Sequence, residues 1–402
     1  MINHDIMKNE NILTVLQCIQ EKGPIYRKDI KEITKLSSGT ISIIVNKLLK
    51  KGIIYEIENS TKVKGRNPNS LDIDVTKSCI VGIDINSAGI QIALMNLKCI
   101  IYSSHFEKIA NPEADAVIAQ VYHMLDSIVE DIKDSQMKLI GIGVAMQGNV
   151  SKKAGISKYC PYFVGWKDVP LKNMFETRYG CPVIVEHSPD CMALYENWFG
   201  VAKGSKNFVF IRAGQTIGIS IVIDGQVLHG YNDNAGEFGH MIVAENGSEC
   251  RCGSYGCLET VASQRSILKR ICDEIRDGRE SKILDMIGIK TVDEIDMEMV
   301  YRACCMGDEL CLEVMKDMAF YLGIAISNVI NLLNPELIVL GGDMMNYENL
   351  FIEKVRKNVN ERAWGSSNKT IMVATNKSNT ASIGACLNIM QDVLAGNIDI
   401  NK

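Results

Sequence analysis

The segment Cys79-Ile80-Val81-Gly82-Ile83-Asp84-Ile85 is a short run rich in β-branched residues, of the kind that forms a buried strand. The residues after it alternate between strand and helix patterns, with a hairpin partner at 91–95, a helix at 114–133 and a further strand at 139–145. This order of elements predicts an α/β lobe.

A similar progression begins at residue 207. It comprises strands at 208–212 and 219–223, a hairpin turn at Asp224-Gly225, a long helix at 313–333 and a strand at 336–342. The repeat of the pattern predicts a second α/β lobe and a cleft between the two lobes.

The first residues of the chain have a different pattern, which predicts a separate head domain. Apolar residues recur at helical spacing from 12 to 19, and Gly23-Pro24 ends this first helix. A second helix at 28–35 is expected to bury Ile30 and Ile33. Ser37-Ser38 then offers an N-cap for a third helix that runs to about Lys50.

On the third helix, Ile41, Val45, Leu48 and Leu49 form the predicted inward stripe. The outer side carries small, polar or basic side chains, which suit the major groove of DNA: Ser38, Thr40, Ser42, Asn46, Lys47 and Lys50. The alternative is a three-helix docking domain whose polar face is merely solvated.

After Gly52, the segments 53–57 and 71–75 alternate as two antiparallel strands. The loop between them is a predicted wing that carries Lys62, Lys64 and Arg66, and glycine and proline allow such an arm to enter a minor groove. The predicted organisation is a winged helix-turn-helix at 1–76, a first lobe at 77–200, and a second lobe at 201–402 whose C-terminal helix returns to the first.

Charge is distributed unevenly along the 402 residues, whose formal net charge is −5. Residues 1–80 hold 13 Lys and Arg against 9 Asp and Glu, a balance of +4, which leaves −9 for the rest. A basic module on an acidic body fits a DNA-binding head. Because no signal peptide and no membrane-length apolar run is present, we expect a cytoplasmic protein whose cysteines are reduced unless they bind metal.

One group of the 14 cysteines has the spacing of metal ligands. Cys250, Cys252 and Cys257, together with His240, offer three thiolates and one imidazole, which suits tetrahedral Zn2+. A closed set of four leaves no open position for water, so the predicted role of the metal is structural. The alternative is three incidental thiols near a buried histidine.

Several of these motifs together resemble the ROK family (repressors, open reading frames and sugar kinases), which lies within the actin-like ATPase superfamily with its ribonuclease H-like lobes. The resemblance spans essentially the whole chain and is closest to repressors of the xylose-repressor type. It rests on these segments: Thr40-Ile41-Ser42, Gly65-Arg66-Asn67-Pro68, Gly165-Trp166-Lys167-Asp168-Val169-Pro170-Leu171, Glu237-Phe238-Gly239-His240, the cysteine segment 250–259, and 334–342.

The resemblance implies a set of sugar-contacting residues. Residues at the positions of Glu237, His240 and Glu259 contact the sugar in the family kinases, and the metal loop at 237–259 is expected to hold them in a fixed array. Carboxylates accept hydrogen bonds from sugar hydroxyls and discriminate against molecules that lack them. His187 is a candidate for tuning selectivity, or an ordinary pocket-wall residue.

The resemblance also implies that the catalytic base is missing. The family kinases have a Glu-Asn-Asp segment whose Asp is that base, and an ungapped fit from Glu186 to Gly200 puts Ser188 in its place. Where the kinases have Gly-Gly-Thr after Asp84, this chain has Asn86-Ser87-Ala88, whose β-carbons obstruct close approach to phosphate. We therefore expect no enzyme activity and no catalytic residue.

The leading hypothesis is a sugar-responsive transcriptional repressor that binds operator DNA as a homodimer or homotetramer. The second is an ATP-dependent sugar kinase with an accessory head. A third makes the body a dimerisation or partner-protein platform without a small ligand. Xylose, glucose and amino-sugar responses share the retained residues within the family, so the sequence indicates the class of effector and not the member.

Overall fold

The computed structural model describes residues 2–57, 69–287, 291–365, 371–375, 379–395 and 397–398. The chain forms two compact units. The first combines Met1–Cys191 with Ala381–Lys402, and the second comprises Met192–Thr380. The chain therefore leaves the first unit after Cys191 and re-enters it at Ala381, while the predicted domain boundaries at residues 76 and 200 stay predictions.

The head is a winged helix-turn-helix, as predicted. Its elements are α1 (Ile2–Lys22), α2 (Arg27–Thr34), α3 (Ser38–Lys50), β1 (Ile54–Ile57) and β2 (Ser70–Ile73). The two strands pair antiparallel, with Ile54 opposite Ile73. Ser37 caps α3, because its hydroxyl accepts a hydrogen bond from the Thr40 amide at 3.1 Å.

Two details of the predicted head core were wrong. Ile33 is 46% exposed, because the eight-residue α2 buries only the side that carries Ile30. On α3 the prediction included Leu49, which is half-buried, and left out Ile44, which is buried with Ile41, Val45 and Leu48. Ile44 belongs to the i, i+3, i+4, i+7 row that starts at Ile41, and Leu49 lies one step off that row.

The body of the first unit is built on a five-stranded sheet with a three-stranded sheet beside it. Its elements are β3 (Ser78–Asn86), β4 (Gly89–Asn96), β5 (Ile101–Glu107), α4 (Ala114–Asp134), β6 (Lys138–Met146), β7 (Asn149–Ser151), β8 (Ile156–Tyr159), β9 (Lys167–Val169), α5 (Leu171–Tyr179) and β10 (Val183–His187). Helix α6 (Ser188–Phe199) then carries the chain into the second unit. The core holds the fully buried rings of Trp166 and Phe175.

The second unit repeats the plan. Its elements are β11 (Phe208–Ala213), β12 (Ile217–Ile223), β13 (Gln226–Val227), α7 (Glu259–Ala262), α8 (Gln264–Arg276), α9 (Ile283–Ile287), α10 (Met297–Cys305), α11 (Glu309–Leu333), β14 (Leu337–Gly341), α12 (Ile352–Arg362) and β15 (Ile371–Ala374). The 25-residue helix α11 lies at the centre of its core, and Asp308 caps it by accepting from the Cys311 amide at 2.8 Å.

Both five-stranded sheets have the same topology. Their strand orders are β10-β6-β3-β4-β5 and β13-β12-β11-β14-β15. When the strands are numbered in chain order within each sheet and the first sheet is taken from its β5 edge, both orders are 3-2-1-4-5. The second strand is antiparallel to the first and third, and the last two strands are parallel to the first. This confirms the predicted two-lobed, actin-like α/β fold with ribonuclease H-like halves.

Helix α13 (Thr380–Ala395) closes the first unit and packs main chain against main chain. A β-carbon added at Gly82 of β3 would lie 1.9 Å from the Ser382 carbonyl oxygen, and one at Gly143 of β6 would lie 1.9 Å from the Ala385 oxygen. One added at Gly384 would lie 1.8 Å from the Cys191 oxygen. The helix can therefore approach this closely only because these three positions lack side chains.

Two findings bear on the environment of the chain. No helix among the described residues combines the length and apolarity needed to cross a membrane. All 14 cysteines lie in the described part of the chain, and each is a free thiol.

We expect Gly384→Ala to destabilise the protein, because the clash with Cys191 outweighs the helix propensity of alanine. Overpacking costs about 1–3 kcal/mol. The matched control is Gly39→Ala on α3, where the new β-carbon meets no atom closer than 3.8 Å and helix propensity favours alanine by up to about 1 kcal/mol. Urea unfolding measures both changes, and equal stability of the two variants would contradict the packing described for α13.

Candidate functional site

The outer face of α3 presents the residues predicted to contact DNA. Ser38, Asn46 and Lys50 are exposed, and Thr40, Ser42 and Lys47 are half-buried. The predicted wing contacts Lys64 and Arg66 lie outside the described residues.

Sequence reasoning missed an apolar residue on the same helix. Ile43 is 69% exposed. An exposed apolar side chain on such a helix can contact a thymine methyl group. The sequence did indicate this exposure, because Ile43 does not fall on the row of inward-facing positions that includes 41 and 45.

A polar network joins the ends of three head elements. Arg27, the first residue of α2, donates to Glu56 Oε1 at 2.9 Å and to Asn46 Oδ1 at 3.4 Å. Asn69 donates to the other Glu56 oxygen at 3.0 Å. These contacts connect α2, α3, β1 and the residue that precedes β2. The sequence did not reveal that Arg27 contacts the side chain of Asn46.

The four predicted metal ligands come together in the second unit. The ligand atoms of His240, Cys250, Cys252 and Cys257 all lie within 4.8 Å of one another. Cys250 Sγ lies 3.6 Å from His240 Nδ1, and Cys252 Sγ lies 3.7 Å from Cys257 Sγ. This arrangement could hold a metal ion. Burial, together with the two neighbouring thiols, raises the pKa of Cys257 to about 12.

His240 has two faces. Its Nδ1 faces the cysteine cluster, while Nε2 lies 3.9 Å from Glu237 Oε2. The side chain of Glu237 is 54% exposed. Loss of hydration raises the pKa of Glu237 and the Glu259 charge adds to this, whereas His240 opposes it. One imidazole can therefore serve the cluster through one nitrogen and a ligand beside Glu237 through the other.

Glu259 is positioned by the main chain around it. It is the first residue of α7, and its Oε2 accepts a hydrogen bond from the Ile217 amide at 3.3 Å. Gly239 passes close by, since a β-carbon there would lie 2.5 Å from the Ile217 oxygen. Glu237, His240 and Glu259 thus belong to one region of the second unit, whereas His187 ends β10 in the first unit.

Ser188, which the family resemblance predicts to stand where the kinases have their base, donates a hydrogen bond to Asp84. Its Oγ lies 2.7 Å from Asp84 Oδ1, and the side-chain Nδ2 of Asn86 donates to Asp84 Oδ2 at 2.7 Å. Asn86 in turn accepts from the Ala88 amide at 2.8 Å and so forms the tight turn between β3 and β4. Both oxygens of the Asp84 carboxylate are therefore engaged by residues that the kinase pattern lacks.

A buried ion pair lies beside Ser188, and the sequence reading did not single it out. Lys152 pairs with Glu186, whose side chain is 4% exposed, and the Glu186 carboxylate also accepts from the His187 amide at 3.1 Å. Burial lowers the pKa of Lys152, but the attraction of Glu186 outweighs it, and the net shift is upward. The ammonium therefore stays charged beside the Glu186 carboxylate.

The fold and these sites define a class of protein: a winged-helix head joined to a body with the fold of sugar kinases. The MarR family profile matches residues 8–60, and the ROK family profile matches residues 80–392. The chain belongs to the ROK family.

Relatives with known names match over nearly their whole length. The xylose repressor of Caldicellulosiruptor bescii is 27% identical over 98% of this chain and 99% of its own. The DNA-binding transcriptional dual regulator NagC of Escherichia coli is 25% identical over 98% of this chain and 95% of its own.

Solved structures agree with this assignment. A ROK family transcriptional regulator, a homologue of the E. coli MLC protein, superposes with a TM-score of 0.81 at 27% identity and covers 97% of both chains. A ROK family glucokinase from Streptomyces griseus reaches a TM-score of 0.66 at 23% identity, over 77% of this chain and 99% of its own. The second similarity shows the fold of the body alone.

We expect Ser188→Asp to lower stability at neutral pH, because two carboxylates would then share the site of one hydrogen bond. The repulsion raises the folded-state pKa of the pair above the unfolded value near 4. Stability should therefore fall as the pH rises through the raised pKa and recover below about pH 4. Unfolding measured across pH tests this. Ser188→Ala, which loses only the hydrogen bond, is the control, and equal pH profiles for both variants would contradict the prediction.

Proposed function

We propose that this protein is a sugar-responsive transcriptional repressor, in which the head binds operator DNA and the body binds a sugar. The observation that carries the proposal is the hydrogen bond from Ser188 to Asp84. In this interpretation a hydrogen-bond donor, Ser188, stands where the family kinases have a base, and the chain also carries a winged-helix head. The full-length similarity to the xylose repressor and NagC supports the same function.

The head would place α3 in the major groove. Asn46 and Lys50 are exposed for base and phosphate contacts, and Ile43 can meet a thymine methyl group. Lys64 and Arg66 of the wing would reach the adjacent minor groove. A homodimer or homotetramer would present two such heads to the two halves of an operator.

The body would recognise the effector through Glu237, Glu259 and the Nε2 atom of His240, with His187 as a selectivity residue. The effector class is a sugar or sugar derivative, because clustered carboxylates match paired hydroxyls.

The metal would be a structural zinc ion. Tetrahedral zinc with bonds of about 2.3 Å to sulfur and about 2.0–2.1 Å to nitrogen has sulfur–sulfur edges of about 3.8 Å and sulfur–nitrogen edges of about 3.6 Å. The separations of 3.7 Å and 3.6 Å in the cluster fit these edges. When bound, the ion would hold His240 and the loop that carries it.

A sugar kinase with an accessory head is the other candidate. A serine hydroxyl is not a base near neutral pH, and here its proton is directed to Asp84. Sugar-dependent formation of ADP from ATP, lost in Glu259→Gln, would establish that activity and overturn the absence of catalysis that we infer.

We expect one zinc ion per chain in protein purified without chelator. Removal by a chelator should lower the melting temperature and weaken sugar binding, because the loop loses its crosslink. Elemental analysis and thermal unfolding measure both effects. Cys252→Ser should behave like chelated protein, whereas Cys305→Ser, at an exposed cysteine outside the cluster, should keep the metal. Full metal content in Cys252→Ser would contradict the ligand set.

We expect salt-sensitive, sequence-selective binding to DNA upstream of the protein's own or neighbouring genes. Lys50→Ala should reduce the salt slope of binding by about 1, and Asn46→Ala should cost about 1–3 kcal/mol and relax selectivity at one base pair. Lys133→Ala, on α4 of the body, makes the same charge change and should leave DNA binding unaltered. Equal effects of Lys50→Ala and Lys133→Ala on DNA binding would contradict the proposal that the outer face of α3 contacts DNA.

The sugar site is tested separately by thermal shift with D-xylose, D-glucose and N-acetylglucosamine. We expect one class of sugar to raise the melting temperature. Glu259→Gln should weaken its binding about 10- to 100-fold, since a hydrogen bond to a charged group contributes about 1.5–3 kcal/mol. Glu245→Gln, at an exposed position of the same region, is the control. A body that responds to no sugar would favour the platform hypothesis.

A further inference from the structure

We propose that Lys51 is a positioning residue through which helix α13 sets the orientation of the recognition helix α3, and that this contact couples the body to the head. The inference rests on the proposed function, because it concerns how a signal from the sugar site reaches DNA. Nothing in the role assigned to α3 above involves Lys51.

Lys51 joins the C-termini of two helices. It is the C-cap residue of α3, and its Nζ donates a hydrogen bond to the carbonyl oxygen of Val393 at 3.0 Å. Val393 lies in the last turn of α13, whose final four carbonyls have no partner within the helix. The negative end of the helix dipole lies there too, so the ammonium both satisfies an acceptor and meets a favourable potential.

A second attachment holds the head through strand β2 and helix α1. Lys98, in the turn between β4 and β5, donates to both oxygens of Asp72 on β2, at 2.8 Å and 3.0 Å. These side chains are only 21% and 11% exposed. The side chain of Gln20 on α1 donates to the Lys98 carbonyl oxygen at 3.0 Å. Lys98 fixes β2 and α1 to the body. A displacement of Lys51 would therefore rotate α3 about the Lys98 contacts.

The other end of α13 lies where the chain crosses between the units. The chain leaves the first unit after Cys191 on α6 and re-enters it at Ala381 on α13. These two crossings touch, because Gly384 lies against the Cys191 carbonyl and Asn388 donates to the Cys191 sulfur at 3.4 Å. A rearrangement of the crossings therefore acts on the first turns of α13.

A rigid helix carries that change to its far end. The backbone contacts of α13 with Gly82 and Gly143 leave no soft side-chain layer to absorb a shift. Packed elements of this kind move as bodies between discrete arrangements. A displacement of Ser382 would therefore also displace Val393 at the other end of α13. Because Lys51 is bonded to Val393, the C-terminal end of α3 would move with it.

The test compares operator affinity with and without saturating sugar for wild type, Lys51→Met and Lys51→Arg in the full chain. D-xylose, D-glucose and N-acetylglucosamine are used in turn. We expect wild type to change its affinity at least 5-fold with one of them. Lys51→Met should bind sugar normally but change its affinity less than 2-fold, and Lys51→Arg, which keeps a donor, should restore the response. Lys31→Met, at an exposed position on α2, is the matched control.

Hydrogen exchange of the α3 amides, measured without sugar, gives a second readout. We expect exchange at least 10-fold faster in Lys51→Met than in wild type or Lys51→Arg, with the five-stranded sheets unchanged. A wild-type sugar response retained in Lys51→Met overturns the inference, and so does unchanged exchange. If wild type responds to no sugar, the proposed function fails while the exchange measurement still decides the role of Lys51, and faster exchange throughout Lys51→Met would assign Lys51 to folding instead.

Discussion

The main-chain contact between α13 and the sheet of the first unit is the constraint on which the rest of the structure depends. The carbonyl oxygens of Ser382 and Ala385 occupy the space that β-carbons at 82 and 143 would need. A helix seated at this distance cannot shift by small steps, because that would break van der Waals contact along its length, so it changes position only between discrete packed arrangements. It fixes the C-terminal helix to the first unit, although the second unit precedes that helix in the chain, and it brings the end of the helix to the head.

The same unit holds the hydrogen bonds on which the proposed absence of catalysis rests. In Asp84 the kinase fold retains a carboxylate, but Ser188 and Asn86 satisfy both of its oxygens. A carboxylate whose acceptors are filled by internal donors is held in place by them. In the proposed assignment the residues at 86 and 188 act together, because Ser188 replaces a base and both residues hold the Asp84 carboxylate in place.

Much of the fold followed from the sequence, because the elements obey local rules. The buried β-branched runs at 79–85 and 208–212 became strands, Gly23-Pro24 ended a helix, and Ser37 capped the next one. The clustering of the predicted metal ligands followed for the same reason, since three cysteines within eight residues can hardly lie far apart. Their sequence spacing is itself a distance restraint.

The contacts that the sequence did not reveal join distant residues of ordinary type. Lys51 bonds a main-chain oxygen 342 positions away, and every residue carries such an oxygen, so nothing in the sequence marks Val393. Arg27 and Glu56 are exposed charges 29 positions apart. Ile33 looked like a core residue because its spacing from Ile30 is helical, but a short helix buries only one side. Tertiary packing decided each of these cases.

If sugar binding and DNA binding are coupled within one chain, each ligand must change the affinity for the other by the same factor. Titration calorimetry can measure the affinity for the sugar with the protein free and with the protein saturated by operator DNA. The account predicts that DNA changes sugar affinity by the same factor by which sugar changes DNA affinity, in the range of about 5- to 150-fold. Equal sugar affinities in the two states would contradict it.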